Sequence, residues 1–244
     1  MGFYLLHESM LNSVIFARDK FLKDSGIMFP DTAQIYSGVV SMDKYYEEKI
    51  DYWKDVYGFN FSSIIPSATQ GAIVGNAVVD IEEEQLISTS FLIENIDLTT
   101  VTMKDLAKLE QECFFSITKD ANFHAFCIWF DVGFPNTNNN NEEFILSTAP
   151  DVPQTHWKQF VLKMPEPIAV TEGTSIEAVF TFSQDNENPR FYNVSSQLTN
   201  ISEPMEDDMD EGGVFVLPGH EERCDCVKCK IARAFVAEHD NTSD

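Results

Sequence analysis

The residues with the clearest capacity for metal chemistry stand near the C-terminal end of the sequence. They follow the spacing H-x3-C-x-C-x2-C and are His220, Cys224, Cys226 and Cys229. Thiolate and imidazole are the ligands that zinc prefers, so four of them in a short segment could form a tetrahedral zinc site. The spacing differs from the usual two-knuckle patterns, and a reduced, flexible tail without metal is the alternative.

Two other residues stand in segments where a charged or titratable side chain could act on a ligand. Glu8 comes just before a helical pattern, and His156 lies in PQTHWKQF, between a polar loop and a strand-like run. The unpaired N–H groups at a helix start favour a carboxylate there. Polar loop residues commonly hydrogen-bond the backbone. Taken alone, the pattern favours a helix-start acid at Glu8 and a hydrogen-bonding turn residue at His156.

A helix is predicted directly after Glu8, because apolar residues recur there at helical spacing. Gly26 is typical of a helix-ending glycine. Arg18, Lys20 and neighbouring charged residues are predicted to lie mainly on the exposed face. The apolar residues predicted to form the buried face are Met10, Leu11, Val14, Ile15, Ala17, Phe21 and Leu22.

Most of the remaining chain reads as short strands rich in Phe, Ile, Val and Thr, separated by turn residues. Such a pattern predicts an antiparallel sandwich or barrel. Residues 82–84 are predicted as an acidic turn and 136–141 as a polar loop. The predicted strands are 27–29, 32–42, 71–89, 90–103, 112–118, 121–134, 160–164, 168–170, 176–182 and 191–198.

In residues 44–58 the spacing of the apolar residues changes from that of a strand to approximately that of a helix. The resulting helical stripe is rich in aromatic side chains. The stripe consists of Tyr45, Ile50, Trp53, Val56 and Tyr57. An exposed aromatic stripe indicates an interface, whereas packing against its own domain is the alternative.

After residue 198 the composition changes to an acidic linker, 203–211, followed by a short segment of separate character.

The net charge of −24, from 40 acidic and 16 basic residues, argues against direct binding to nucleic acid. It suits a cationic partner such as an arginine-rich peptide, or it serves solubility alone. No apolar run is long enough for a membrane span, and the first residues do not form a signal peptide. We therefore expect a cytoplasmic or nuclear protein with reduced thiols. Cys113, Cys127 and His124 are predicted to be structural.

Two longer motifs resemble those of the protein arginine methyltransferase family. The first is MGFYLLHESML followed by ARDKFL, a glycine turn and FPD, and the second is STAP-x-x-P-x-THWKQ. The resemblance continues in order to about Leu198. It implies a mainly β, barrel-like domain at 27–198 with an inserted helical dimerisation arm at about 44–70. Residues 1–26 would be the end of the "double-E" loop and one helix, and 199–244 a flexible acidic and Cys-rich tail.

The resemblance also implies roles for individual residues. Glu8 matches the second glutamate that holds the substrate guanidinium, and His156 would have a catalytic role beside an acid from the donor domain. Thr155 and Trp157 would line the groove for the substrate arginine. Met1 and Met10 match a methionine pair of members that make asymmetric dimethylarginine. The arm residues that would dock on a second subunit are Tyr52, Trp53, Val56, Tyr57 and Phe59.

The activity implied is methyl transfer from S-adenosylmethionine to arginine in proteins, with arginine-rich proteins or histone-like tails as substrates. The chain starts inside the active-site loop, the first glutamate matches a position before Met1, and we expect the donor site to be absent. Phe3 and His7 also stand where tyrosines are common. Two interpretations follow: a truncated part of such an enzyme, or an inactive module that binds arginine-rich proteins. The chain would pair as a homodimer, or as a heterodimer with a full-length relative.

Overall fold

The computed structural model describes residues 2–68, 76–135 and 144–204, all within one compact unit that ends at Pro204. Met1, the predicted loop 136–141 and the end of the predicted arm lie outside the described residues. The proposed zinc ligands His220, Cys224, Cys226 and Cys229 lie outside them too, and so does most of the acidic linker. Of the helices in the described ranges, none has the length and apolar character needed to cross a membrane.

The fold is mainly β, as predicted, and its strand pairs are antiparallel. One sheet has the order β2-β7-β5-β1-β3, with β6 also paired to β5, and a second sheet has the order β4-β8-β9. The strands are β1 (Thr32–Val40), β2 (Ala77–Val79), β3 (Phe91–Asp97), β4 (Lys108–Ser116), β5 (Ala121–Phe134), β6 (Phe144–Ser147), β7 (Gln159–Val170), β8 (Ser175–Gln184) and β9 (Tyr192–Ser202).

Helical segments are short and connect these strands. The α-helices that lie entirely within the described residues are α1 (Met10–Phe21), α2 (Asp43–Lys49) and α3 (Met103–Leu106). Single 3-10 turns occur at His7–Ser9, Asp51–Lys54, Ser62–Ile64 and Glu83–Gln85. The last of these coincides with the acidic turn that the sequence predicts, and a reciprocal capping box between Glu82 and Gln85 fixes it.

Strand β5 is the centre of the larger sheet because both of its faces are buried. Phe126, Ile128 and Phe130 belong to one apolar cluster, whereas Cys127 and Trp129 belong to a second cluster on the other face. This follows from the two-residue repeat of a strand. A strand buried on both faces reads as a nearly continuous apolar run, and the sequence shows such a run here.

Phenylalanine rings join the two sheets. Phe126 of β5 lies 5.5 Å from Phe115 of β4 and 5.1 Å from Phe180 of β8, measured between ring centroids. Phe123 packs edge-on to Phe126 at 4.9 Å. Phe115, Phe123, Phe126 and Phe180 are fully buried, so these contacts form the core between the sheets.

The two predicted core thiols are buried within the same structure. Cys113 lies on β4 and Cys127 on β5, and both are fully excluded from solvent. Burial raises the pKa of Cys113 to about 12 and raises the pKa of Cys127 as well. Both residues therefore act as small apolar side chains of the core.

Helix α1 differs from its prediction in length and in orientation. It ends at Phe21, before Gly26, because Leu22 takes an extended conformation. Leu11 and Ile15 are buried, but Met10 and Phe21 are 49% and 69% exposed. Arg18, predicted on the exposed face, is 9% exposed and its Nη1 donates to the Leu98 carbonyl at 2.9 Å.

Several strand predictions need correction. Residues 27–29 do not form a strand, and β6 was not predicted. The predicted strands 160–164 and 168–170 join into β7, whose register against β5 shifts between Phe123 and Ala125. Pro165 and Pro167 lie opposite this shift and have no N–H to donate, which accounts for the apparent break in the sequence pattern.

The predicted helix over 44–58 is wrong beyond Lys49. Helix α2 ends there, a 3-10 turn follows at Asp51–Lys54, and Val56 then pairs with Phe59 across a tight turn. The chain can reverse at this point because Tyr57 and Gly58 both have positive φ, 54° and 86°. This is the pattern of a two-residue hairpin turn.

Candidate functional site

Glu8 lies on a strained loop that leads into α1. Tyr4, Leu5, Glu8 and Ser9 all have φ between 44° and 70°, although none is glycine. Left-handed non-glycine residues cost about 1 to 3 kcal/mol each and cluster at functional sites. No side-chain capping bond forms at the start of α1, so the helix-start interpretation of Glu8 gains no support from hydrogen bonding.

Burial of the apolar part of this loop offsets the strain. Tyr4, Leu5 and Leu6 are 4%, 0% and 1% exposed. The Tyr4 ring lies 4.7 Å from the Phe160 ring and 5.9 Å from the Phe182 ring. Burial, with a smaller contribution from Tyr192, raises the pKa of Tyr4 to about 12. Each such side chain contributes about 1.5 to 3 kcal/mol when buried, which is of the same order as the strain of one left-handed residue.

The turn between β8 and β9 packs against the other side of the loop. The Ser9 hydroxyl donates to the Pro189 carbonyl. Gln184 Nε2 lies 2.7 Å from the same carbonyl and 3.2 Å from Ser9 Oγ. The rings of His7 and Phe191 lie 5.7 Å apart. Sequence reasoning did not find these partners, and no local motif signals a contact across more than 170 residues.

Arg190, on the same turn, faces the candidate binding group. Its Nη2 lies 3.9 Å from Glu8 Oε1, and the two side chains are 70% and 46% exposed. The carboxylate of Glu8 is therefore open to solvent and already faces a guanidinium of its own chain.

The Thr155-His156-Trp157 segment forms a turn just before β7. The Thr155 carbonyl accepts a hydrogen bond from the Lys158 N–H at 3.2 Å, and the His156 side chain is exposed. Trp157 packs edge-on to Phe130, with 5.8 Å between ring centroids. The hydroxyl of Thr155 is buried and has no hydrogen-bond partner among the described residues.

A buried glutamine anchors the end of this turn. Gln159 is 3% exposed; its Nε2 donates to the Thr148 carbonyl at 2.9 Å, and its Oε1 accepts from the Ile81 N–H at 2.8 Å. Both polar ends of the side chain are satisfied, as a buried amide requires. The next residue, Phe160, contacts Tyr4, so the two predicted site segments meet at one ring pair.

The structure brings the two segments together without joining their polar groups. The centroids of the His156 and Trp157 rings lie 6.2 Å apart, and the Glu8 carboxylate pairs with Arg190. Met10, the first residue of α1, is half-exposed two positions after Glu8. The described residues thus present a carboxylate and an imidazole on neighbouring loops.

The arm presents a rigid, exposed aromatic tip. Tyr57, Phe59 and Tyr52 are 93%, 69% and 47% exposed, whereas Trp53 and Val56 are half-buried. Val56 and Phe59 exchange two backbone hydrogen bonds of 2.9 and 3.1 Å. The Gly58 N–H donates to the Asp55 carboxylate at 2.7 Å. Exposed aromatic side chains on an ordered turn are typical of an interface.

The described residues thus form a mainly β domain with an inserted arm that carries exposed aromatic side chains. The family model described as the arginine methyltransferase oligomerization subdomain matches residues 31–202. The chain belongs to the protein arginine N-methyltransferase family, as its motifs predicted.

Known proteins similar to this chain agree with that assignment. It is 34% identical over 221 residues to the probable protein arginine N-methyltransferase 6.1 of Oryza sativa subsp. indica, covering 82% of this chain and 58% of that protein. The chain thus spans little more than half the length of this curated relative.

Solved structures show the same likeness. The Trypanosoma brucei PRMT1 enzyme–prozyme heterotetrameric complex with AdoHcy is similar with a TM-score of 0.68 and 29% identity, over 81% of this chain and 60% of that chain. Arabidopsis thaliana protein arginine methyltransferase 10 is similar with a TM-score of 0.69 and 26% identity, over 84% of this chain and 65% of that chain.

Proposed function

We propose that this chain supplies the arginine-binding loop and the oligomerisation arm of a protein arginine N-methyltransferase. The reaction is transfer of methyl groups from S-adenosylmethionine to arginine in arginine-rich proteins such as histone-like tails, giving asymmetric dimethylarginine. The observation that carries the proposal is the half-exposed Glu8 carboxylate, held on a strained loop and facing a guanidinium.

The chemistry of the side chains supports this role for Glu8. A guanidinium is planar and presents its N–H donors in a fixed fork, and a carboxylate accepts two of them at once. A rigid carboxylate therefore sets the orientation of a substrate arginine and the direction of its reacting nitrogen. Much of the rate of such a transfer comes from positioning and electrostatics.

His156 and Met10 complete the proposed site. His156 is exposed on the turn beside the Tyr4–Phe160 contact, where its imidazole is free to orient an acidic partner. Met10 borders the loop and would limit the room around the methylated nitrogen. S-adenosylmethionine supplies the electrophilic methyl group when it is bound. We assign none of the described residues to holding it.

Binding of an arginine peptide to the purified chain tests the proposal. The probe is a synthetic peptide of alternating glycine and arginine, titrated calorimetrically at low ionic strength. We expect Glu8→Gln, which keeps the shape and removes the charge, to weaken binding at least about fivefold, since charge-assisted hydrogen bonds contribute about 1.5 to 3 kcal/mol.

Glu112→Gln is the matched control for this experiment. Glu112 is exposed on β4, and its substitution changes the net charge by the same amount. An equal loss of affinity in both variants would show that the peptide responds only to the net charge of −24, and would contradict the proposal. Absence of binding by the unaltered chain would also contradict it.

A second candidate function is pairing with a full-length relative through the arm. The exposed tip of Tyr57 and Phe59 supports it. The similarity to the Trypanosoma brucei PRMT1 structure supports it further, because that structure is an enzyme–prozyme heterotetrameric complex. In this role the chain would regulate or stabilise a partner that carries the methyl donor.

A further inference from the structure

We propose that Arg190 is an internal competitor of the substrate arginine, whose guanidinium occupies Glu8 while no substrate is bound. The inference rests on the proposed function, because it takes Glu8 as the group that binds the substrate guanidinium. It adds a residue of the β8–β9 turn that sets how strongly the site binds arginine.

The turn that carries Arg190 has a defined conformation. The Asp185 carboxylate accepts hydrogen bonds from the backbone N–H groups of Asn188 and Glu187 at 2.8 and 2.9 Å. The Asp185 N–H donates to the Phe191 carbonyl at 2.9 Å. The bonds to its carboxylate, from Asn188 first and then Glu187, hold the pKa of Asp185 below its usual range. The turn therefore presents Arg190 at a fixed position between Pro189 and Phe191.

Contacts on both sides of Arg190 fix the turn against the Glu8 loop. Before it, the Pro189 carbonyl accepts hydrogen bonds from Ser9 and from Gln184; after it, the Phe191 ring packs at a tilt against the His7 ring. His7 and Ser9 are the two neighbours of Glu8 in sequence. Contacts between the Glu8 loop and the β8–β9 turn therefore lie on both sides of the Glu8–Arg190 ion pair. The fold itself brings Arg190 close to Glu8.

Few contacts hold the Glu8–Arg190 ion pair together, so it can dissociate. Arg190 is 70% exposed and lies 3.9 Å from the carboxylate, with no second polar contact recorded for its guanidinium among the described residues. An incoming arginine can replace it without unfolding the turn. Exposed ion pairs are weak, so the competition corresponds to a change in affinity of about two- to fivefold.

The sign of the effect separates competition from structural support. If Arg190 only held the loop, its removal would loosen Glu8 and weaken peptide binding. If Arg190 competes for Glu8, its removal frees the carboxylate and strengthens binding. We expect Arg190→Gln to bind the glycine–arginine peptide about two- to fivefold more tightly than the unaltered chain. Arg190→Lys retains the charge and is expected to stay close to the unaltered chain.

Lys108→Gln is the control for net charge, because Lys108 is exposed and pairs with Glu110 on β4. It removes the same charge and should leave the affinity unchanged within about twofold, since it lies outside the binding loops. In a Glu8→Gln background, Arg190→Gln should have no further effect. Weaker binding by Arg190→Gln, with an unchanged melting temperature, would overturn the inference.

A second measurement does not depend on peptide binding. The side-chain Nε–Hε signal of Arg190 in a nitrogen–proton correlation spectrum should shift on Glu8→Gln and stay unchanged on Glu112→Gln. If the peptide fails to bind but this signal shifts, the proposed function is wrong and the Glu8–Arg190 pair stands. If the signal does not move, the pair is absent in solution and the inference is wrong, whatever the peptide does.

Discussion

His124 is a buried imidazole that ties β5 to the start of α2. It is 2% exposed, and its Nδ1 accepts a hydrogen bond from the Met42 N–H at 3.0 Å. Nδ1 also lies 2.9 Å from the Asn122 carbonyl oxygen, and Nε2 faces Asp43 Oδ1 at 3.5 Å. The Tyr46 ring lies 4.4 Å from the imidazole ring. Burial lowers the pKa of His124, although the Asp43 carboxylate and the Asn122 carbonyl act in the opposite direction.

This environment predicts a loss of stability in mild acid. The unfolded chain has a histidine pKa near 6.5 and the folded chain a lower one, so the unfolded chain binds more protons between the two values. The free energy of unfolding should therefore fall as the pH drops below about 6.5. The pKa of Asp43 is lowered in the folded chain. The stability that its carboxylate contributes is lost only as the pH falls through that folded pKa, which lies below 3.8.

Urea unfolding at pH 7.5 and pH 5.5 checks this prediction. The unaltered chain should lose stability between the two, and His124→Gln should show a smaller difference because it has no imidazole to protonate. An equal difference in both proteins would contradict the assignment to His124.

At the residue scale, the sequence predicted that Glu8 lies just before a helix and that His156 lies in a turn. It did not predict the contacts that hold these two segments in place. Glu8 and Thr155-His156-Trp157 belong to contiguous motifs, which can be read locally. Gln184 and Pro189 contact Ser9, and Arg190 contacts Glu8, only because β8 and β9 pair and bring their turn to the start of the chain. The spacing of residues within a segment does not predict which distant segment it will contact.

At the scale of elements, the arm is the part of the chain that the proposed association depends on. We expect a double substitution, Tyr57→Ser with Phe59→Ser, to abolish assembly with a full-length relative and to leave the stability of the chain within about 0.5 kcal/mol, since exposed side chains contribute little to folding. Sedimentation velocity of the chain mixed with the Oryza sativa relative measures the assembly, and urea unfolding measures the stability.

Phe144→Ser is the matched control, because Phe144 is 66% exposed on β6, outside the arm. Assembly should persist in this variant. If the arm variant still assembles, another surface carries the interaction, and the second candidate function loses its support.

The arm also shows why element bounds were harder to predict than element types. The aromatic spacing over 44–58 approximates a helical period, yet the helix stops at Lys49. The turn at Val56–Phe59 depends on positive φ at Tyr57, a conformation that a tyrosine rarely adopts and that its type does not signal. In contrast, the β5 strand was predicted with its correct bounds, because an apolar run buried on both faces is distinctive.

For the whole molecule, the phenylalanine core between the sheets should decide stability. Phe126 contacts Phe115, Phe123 and Phe180 and is fully buried. Phe126→Ala should lower the free energy of unfolding by about 3 to 5 kcal/mol, through lost burial and a remaining cavity. Phe144→Ala, at an exposed position, should change it by less than about 0.5 kcal/mol. Equal effects of the two variants in urea unfolding would contradict this description of the core.

The mainly β class followed from composition and turn spacing, because strands that bury one or both faces need the residues seen here. The division into a larger and a smaller sheet did not follow, since it depends on which strands pair. The pairing of β4 with β8 and of β1 with β5 joins segments far apart in the chain. Such pairings are decided by the complete core, in which Phe126 and Phe180 meet.

The two buried thiols report on two different apolar clusters of the domain. Cys113 belongs to the cluster between the sheets, and Cys127 belongs to the second cluster, on the other face of β5. A protonated, enclosed sulfur does not react with an alkylating reagent, and the raised pKa values keep Cys113 and Cys127 protonated at neutral pH. Alkylation of Cys113 therefore requires opening of the core between the sheets, whereas alkylation of Cys127 requires opening of the second cluster. Since one thiol lies in each cluster, mass spectrometry of the labelled chain would show whether the two clusters open together or one before the other.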